Sequence, residues 1–418
     1  MSGNQEVIVA SPVTPHPPPK DRKLWRDLTA YWILGLCNNY GYVVMLSAAH
    51  DIIAQFQDGT TDDTTTVENE GEDTRKCHLV STGAILLADI IPSLFVKIII
   101  PFLPFWVNFK ILLAVILSAS GFLLVGFANA EWMALLGVVI TSASSGIGEP
   151  TFLSYSSHFN KNVVSTWSSG TGGAGVIGSL SYASLRALKV SPRDTMLIML
   201  FFPALEAVSF WILLRKPTII PLNTSALEST EELVTDEKPL TGFKEKLVYI
   251  KTLLPYMLPL ALVYFFEYLI NQGLFELVYF ENSSLSQASQ YRWFNVDYQI
   301  GVFISRSSVN LYKINKIWLM AVFQFVNVAY FLTEVIFFYT PNIWITLVIV
   351  LWEGLLGGGA YVNTFYRMSK EITPGRRRFA MAMVTQSDAY GIALAGFLAI
   401  PLHNAICALP PAYRKVVW

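Results

Sequence analysis

Long apolar runs, each broken by one or two polar residues, follow one another from Thr29 to Ile406. An α-helix needs about 20 mostly apolar residues to cross a bilayer. Runs of that length fall near 29–49, 80–103, 108–128, 132–156, 163–188, 194–214, 252–279, 290–308, 317–339, 342–368 and 377–406. The pattern predicts an all-α polytopic membrane protein of about eleven transmembrane helices. The run at 290–308 fits least well, because it carries Arg292, Asn295, Asp297, Gln299 and Arg306; its alternative is a helix lying along the interface. Polar stretches divide the rest. Residues 1–28 read as a disordered tail, 54–78 as an acidic, Thr-rich loop, 216–249 as a long central loop, and 409–418 as a second tail. The domains expected are therefore a six-helix half over 29–215 and a five-helix half over 250–408.

The two halves resemble each other. "SSGIGEPTFLSY" (144–155) and "LLGGGAYVNTFY" (355–366) place small residues alike and end in Tyr. A short basic loop and another helix rich in small residues follow each. Spans 4–5 thus correspond to spans 10–11, as expected of a transporter built from two repeats. On that alignment the missing element is a twelfth helix.

Composition agrees with the pattern. Apolar residues make up 53% of the chain and charged residues 14%, against roughly 25% charged in an average soluble domain. Mean hydropathy is +0.46. A formal net charge of -1 gives no reason to expect nucleic acid, and three cysteines exclude a disulfide framework. No cleavable signal segment is visible. The basic loops favour a cytosolic N-terminus: Lys161, Arg215, Lys216, Lys244, Lys246, Lys313, Lys316, Lys370 and Arg376 to Arg378 then lie on one side, against Arg75, Lys76, Lys189, Arg193, Arg414 and Lys415 on the other. The same orientation turns the sequon at Asn282 to the lumen, where it is a glycosylation candidate; the sequon at Asn223 falls on the cytosolic side.

A charge at the bilayer centre costs on the order of 3 kcal/mol on insertion scales. The runs nevertheless hold Asp89, Lys97, Glu149, Glu206, Glu267, Glu276, Asp297, Arg306, Glu334, Glu353 and Asp388. An anchor has no use for so many, so they are expected to face an interior or a water-filled path. Asp89, Ser93 and Lys97 recur every four residues and read as a polar ladder within one helix. Glu267 pairs in spacing with Asn271, and Gln272 with Glu276. Asn39 and His50 share a face of the first span. The plainer readings are that Glu276, Asp51 and Arg306 snorkel to the interface, that Asp89 and Lys97 form a structural pair, and that Tyr264-Phe265-Phe266 faces lipid or packing.

One stretch, "WSSGTGGAGVIGSL" (167–180), contains G-x-G-x-x-G. A dinucleotide loop needs a strand before it and a helix after it, and neither context is present. Gly170, Ala174 and Gly178 instead form a small-x-x-x-small ladder for close helix packing. No H-E-x-x-H, Cys-x-x-Cys or G-x-S-x-G occurs. No catalytic residue, metal or cofactor is therefore expected.

Several stretches resemble the battenin family of lysosomal and vacuolar membrane proteins. They are "WILGLCNNYGYVVMLSAAHDI" (32–52), "STGAILLADIIPSL" (81–94), "SSGIGEPTFLS" (144–154), "WSSGTGGAG" (167–175), "YFFEYLINQGLFEL" (264–277), "SQYRWF" (289–294), "GVFISRSSV" (301–309), "EGLLGGGAYVNTF" (353–365) and "AIPLH" (399–403). The resemblance runs from Tyr31 to Cys407. It implies a major-facilitator-like two-half helical bundle, residence in lysosomal and late endosomal membranes, and clearance of glycerophosphodiesters, the deacylated remains of phospholipids. Basic amino-acid transport, pH homeostasis and trafficking are other roles it brings. The family's conspicuous intramembrane charges fall on Glu267 and Arg306. Departures exist. Cys407 is followed by "ALPPAYRKVVW", so no C-terminal prenylation box is available. The acidic di-leucine-like signal is degraded to "DEKPLT" (236–241). Eleven spans put Cys77 and Cys407 on one luminal side, where an oxidising lumen would let them pair.

The expectation that follows is a multi-pass lysosomal transporter working by alternating access, with membrane lipid around it and a glycerophosphodiester as its small-molecule substrate. Arg306 first and Lys97 second are the expected phosphate partners. Glu267, Asn271 and Gln272 are expected at glycerol hydroxyls, and Glu267, Asp89 or His50 at a coupled proton. Cytosolic sorting adaptors would act through 216–249. The rival readings are a proton-coupled basic amino-acid transporter, a non-transport trafficking adaptor, and an intramembrane enzyme.

Overall fold

The computed structural model describes residues 22–57, 82–104, 106–216, 242–281, 283–285 and 287–410. Every regular element among them is helical. In chain order they are α1 (Arg22–Gln57), α2 (Thr82–Ile99), α3 (Val107–Gly126), α4 (Glu131–Tyr155), α5 (Asn162–Ala187), α6 (Pro192–Met199), α7 (Phe201–Val208), α8 (Phe243–Gly273), α9 (Gln287–Ser307), α10 (Ile317–Phe337), α11 (Ile343–Glu371), α12 (Pro374–Val384) and α13 (Gln386–Cys407). A π turn over Ser209–Leu213 extends α7. α6–α7 and α12–α13 each occupy one predicted span, so eleven long helical segments stand in the predicted order. Helix α1 begins at Arg22, inside the stretch read as tail, and α8 begins at Phe243, inside the stretch read as central loop.

Among the described residues, seven segments are long and apolar enough to cross a membrane: α3, α4, α6–α7, α8, α10, α11 and α12–α13. Helices α5 and α9 fall below that measure for identifiable reasons. The first is diluted by Gly and Ser, and the second by Arg, Asp, Asn and Gln. Neither lies apart from the bundle. Helix α5 packs on α1 and α9, and α9 packs on α11 and α5. Against the interfacial alternative for 290–308, α9 is packed within the bundle, with Gln299 against Gly175 of α5 and Arg306 bonded to α5 and α8.

The distribution of side chains is that of a bilayer protein. Phe95, Leu112, Ile116, Phe325, Val348, Leu394 and Phe397 are exposed, whereas Asp89, Lys97, Glu206, Glu267, Glu334 and Glu353 are buried. In water such an arrangement would be unfavourable on both counts; in lipid the apolar outside is solvated and the charges are shielded by protein.

Packing follows a two-fold scheme. In the first half α1 packs on α5 and α2 on α4; in the second α8 packs on α13 and α9 on α11. Exchanging the halves maps α1 to α8, α2 to α9, α4 to α11 and α5 to α13. Across the middle, α2 meets α13 and α9 meets α5, which the same exchange interconverts. Glycines bring the matched pairs together. A Cβ on Gly170 would overlap the Trp32 carbonyl, and one on Gly391 the Ala261 carbonyl. Gly146 lies against the Ser93 backbone, and Gly354 against the Tyr298 carbonyl. Such approaches gain dispersion contacts and compensate for the weak hydrophobic drive within lipid. The segment α6–α7 has no second-half counterpart among the described residues.

Candidate functional site

The site lies where the halves meet. Lys97 stands near the end of α2, on the face that turns toward α4 and α13. Its Nζ is 2.6 Å from Oε2 of Glu149 on α4, and 3.1 Å and 3.3 Å from the carboxylate oxygens of Asp388 on α13. All three residues are buried. A lone ammonium buried there would lose several kcal/mol of hydration, and direct partners offset that loss. This corrects the Asp89–Lys97 ladder. Eight residues along a helix span about 12 Å, too far for a pair, and Lys97 takes its partners from other helices. Asp89 is fully buried, and neither carboxylate oxygen has a hydrogen-bond partner.

A second chain of contacts begins at the same carboxylate. The Tyr361 hydroxyl of α11 donates to Glu149. The Trp167 indole N–H of α5 donates to that hydroxyl at 3.4 Å. Above the Tyr361 ring lies the guanidinium of Arg306, from α9, 4.3 Å from the ring centroid. Its Nη1 donates to Thr171 on α5 at 2.6 Å, and its Nη2 to the Tyr264 hydroxyl on α8 at 2.7 Å. The Tyr298 hydroxyl donates to Glu267. The other oxygen of that carboxylate has no hydrogen-bond partner and presses on Gly357, where a Cβ would overlap it. Seven helices therefore contribute: α2, α4 and α5 from one half, α8, α9, α11 and α13 from the other.

The two cations differ in kind. Lys97 is shared between two carboxylates. Arg306 is held by two neutral hydroxyls and an aromatic face; its Nε has no hydrogen-bond partner, and no carboxylate forms an ion pair with it among the described residues. It is 9% exposed, so the snorkelling reading does not hold for it. Nor does it hold for Glu276, which is buried with Oε1 2.6 Å from Nδ1 of His403. These two sit in a separate polar cluster, where the 3-10 turn after α8 meets the far end of α13.

Other expected residues fall as follows. Asn271 and Gln272 are buried on α8, one turn beyond Glu267, and the Asn271 Oδ1 has no partner. The His50 side chain, Asn282 and Cys77 lie outside what the structure describes; so does 217–241, most of the central loop. Cys407 is disulfide-bonded and Cys37 is free. Gly170, Ala174 and Gly178 line the side of α5 toward α1. Ala174 is fully buried, and a Cβ on Gly178 would come 3.0 Å from Cγ1 of Val43. Gly172 and Gly175 of the same run serve the other side, against Phe303 and Gln299 of α9.

Tyr264, Tyr361, Thr171 and Trp167 join the site without any motif that marks them, and in the sequence Glu149 and Asp388 stand out only as intramembrane charges. Tyr264 is 3% exposed and part of the buried core, so for this residue the packing expectation holds and the lipid-facing one does not; its hydroxyl also accepts from Arg306. One signal was available. Glu149 and Tyr361 stand one position apart in the two repeated segments, so a two-fold axis brings them face to face.

Comparison with known proteins agrees with this architecture. The family model described as "CLN3 protein" matches residues 29–239 and 220–409. Battenin of Canis lupus familiaris is 43% identical over 419 residues, covering 94% of this chain and 95% of that protein. Protein BTN1 of Yarrowia lipolytica is 37% identical, covering 90% and 94%. Among solved structures, the human organic anion transporter MFSD10 aligns with a TM-score of 0.58 at 13% identity, over 94% of this chain and 95% of that one. A bacterial homologue of the human lysosomal transporter Spinster, inward-facing and unoccupied, aligns with a TM-score of 0.55 at 16% identity, over 90% and 82%. At these identities the structures speak for the fold, which is major-facilitator-like. Family and fold together support a membrane transporter. By its family model and its curated relatives, the chain belongs to the CLN3 (battenin) family.

Proposed function

We propose that this protein exports a glycerophosphodiester from the lysosomal or late endosomal lumen to the cytosol by alternating access, with its N-terminus cytosolic and all eleven helical segments crossing the membrane. The observation that carries the substrate class is the state of Arg306. It is a buried cation at the junction of the halves, held by hydroxyls and not by a carboxylate. A buried charge of that kind is stabilised by a ligand of opposite sign, and a phosphodiester brings one negative charge with acceptor oxygens for a guanidinium. Thr171 and Tyr264 hold the guanidinium in place. Asn271 and Gln272 meet the glycerol hydroxyls, the Asn271 Oδ1 as an acceptor, and Glu267 carries the coupled proton.

Lys97 takes a different part from the one expected of it. With Glu149 and Asp388 both on its ammonium, it serves as an ionic latch between α4 and α13 more readily than as a phosphate site. Rocking of one half against the other works on such contacts.

The test is uptake by the purified full-length protein in proteoliposomes. Glycerophosphocholine and glycerophosphoglycerol are expected to enter and to compete with each other. Uptake of lysine or arginine at either of two pH values, with no movement of the phosphodiesters, would replace this reading with basic amino-acid transport.

A further inference from the structure

Glu353, in the first half of α11, has no part in the site described above. It is fully buried, and among the described residues neither of its carboxylate oxygens has a hydrogen-bond partner. The charge nearest to it has the same sign. Gly357 stands four residues further along α11 and so on the same face, and the Glu267 carboxylate of α8 presses on it. Four residues of helix rise about 6 Å, which puts Glu353 one turn from Glu267 and within its electrostatic reach. The other helices packed on α11 bring no cation to that level among the described residues. From α10 come two buried amides: Gln324 donates to the Glu353 backbone carbonyl at 3.3 Å and accepts from Asn327 at 2.7 Å. From α9 come Tyr298, whose hydroxyl is on Glu267, and Arg306, whose guanidinium lies over Tyr361. Tyr361 is eight residues beyond Glu353, about 12 Å along the helix. Trp167 and Thr171 of α5 belong to that same Tyr361–Arg306 level, and α12 follows the far end of α11.

A buried carboxyl with neither a donor nor a counter-ion keeps a proton instead of a charge. Two carboxyls one turn apart then behave as one unit that shares its protons. Intramembrane carboxyls of this kind mark proton paths in transporters. The place of Glu353 along the helix gives the path a direction. Helix α11 begins on the face where α10 ends, which is luminal in the proposed orientation. A helical side chain leans toward the start of its own helix, so Glu353 reaches from the level of Glu267 toward the lumen.

We propose that Glu353 is a proton-relay residue, which holds a proton on the luminal side of Glu267 and hands it to that carboxylate. The proton leaves a Glu353 oxygen for Oε2 of Glu267, the oxygen without a hydrogen-bond partner. Glu353 is left as the carboxylate and takes its next proton from the lumen, so the charge of the pair is the same before and after the transfer. One bridging water, or rotation of the Glu353 side chain, spans the single turn between them. The relay rests on the reading of Glu267 as the coupled carboxylate; the protonation of Glu353 does not.

The test has two readouts. Infrared spectra of the purified full-length parent and of Glu353→Gln are compared at neutral pH, in H2O and in D2O. The parent is expected to show a protonated-carboxyl C=O band that shifts in D2O and is missing from the variant. Glu353→Gln should melt like the parent, because the amide is as uncharged as the acid it replaces; Glu353→Met is the second uncharged variant if the amide folds poorly. Both proteins are then reconstituted with glycerophosphocholine. Net uptake driven by a pH gradient, acid on the luminal side, should be at least tenfold slower in the variant. Exchange at equal substrate and equal pH on both sides moves no net proton and should fall less than twofold. A band that persists in the variant, or is absent from the parent, would show that Glu353 holds no proton. Loss of exchange together with net uptake, or loss of neither, would overturn the relay. If the folded parent moves no phosphodiester, the transport reading fails and the relay with it, whereas the infrared comparison still decides whether Glu353 holds a proton.

Discussion

The guanidinium of Arg306 lies 4.3 Å from the centre of the Tyr361 ring, and the hydroxyl of that ring donates to Glu149, the carboxylate that also holds Lys97. One aromatic side chain thus joins a cation with no carboxylate in ion-pair contact among the described residues to one that has two. Tyr361 comes from α11 and Glu149 from α4, so the junction couples the substrate site proposed here to the contact between the halves.

Arg306→Lys should keep a charge at the site and lose its geometry. An ammonium cannot donate to Thr171 and Tyr264 from opposite ends of a plane while stacking on Tyr361. Losing charge-assisted hydrogen bonds costs about 1.5–3 kcal/mol, so initial uptake rates should fall roughly 10- to 100-fold with the amount of folded protein unchanged. Parent-like rates in Arg306→Lys would remove the case for a planar donor.

Lys97→Met should destabilise severely, because it leaves two carboxylates buried together without a cation. Breaking a buried pair this way costs about 3–5 kcal/mol. Adding Glu149→Gln and Asp388→Asn to Lys97→Met should recover much of the loss in melting temperature. A triple variant that melts no higher than the single one would show that the three residues do not act as one unit.

The glycine ladder predicts an order of effects. At Gly170 the obstacle to a Cβ is the Trp32 backbone carbonyl; at Gly178 it is the movable Val43 side chain. Gly170→Ala should therefore cost about 1–3 kcal/mol, as overpacking does, and Gly178→Ala less. Gly170→Leu should abolish transport through misassembly. Melting curves of the two alanine variants decide the order, and uptake by the leucine variant decides the rest; full transport there would count against close packing of α1 on α5.

The proposed function puts the coupled proton on Glu267 rather than Asp89. Glu267 faces Tyr298 and Gly357 inside the site, whereas Asp89 lies two turns from Lys97 with neither carboxylate oxygen hydrogen-bonded. Glu267→Gln should make uptake insensitive to an imposed pH gradient, and Asp89→Asn should leave that sensitivity intact. The opposite pattern would move the proton to α2.

The helices and the faces on which their small residues lie were legible because lipid imposes simple rules. A span needs about 20 apolar residues, and backbones approach only where side chains are small. Gly170, Ala174 and Gly178 could be read in that way from spacing alone. The second set of close approaches, Gly172 and Gly175 against α9, was hidden in the same run, because one helix with two crowded faces looks like a single glycine-rich motif. Partners of charges were not legible. Lys97 and Asp388 are 291 positions apart, and nothing local to α2 distinguishes a partner on α13 from one on its own face. Burial of Tyr264 was equally obscure, since its neighbours Phe265 and Phe266 are only half-buried and hydropathy does not separate the three.

The most direct measurement is uptake of labelled glycerophosphocholine into proteoliposomes holding either the parent protein or Arg306→Gln, matched for folded protein by size exclusion and melting temperature. The account predicts saturable uptake by the parent, inhibited by glycerophosphoglycerol, and at least 100-fold slower uptake by Arg306→Gln. Equal uptake by the two proteins, or none by a well-folded parent, would contradict it.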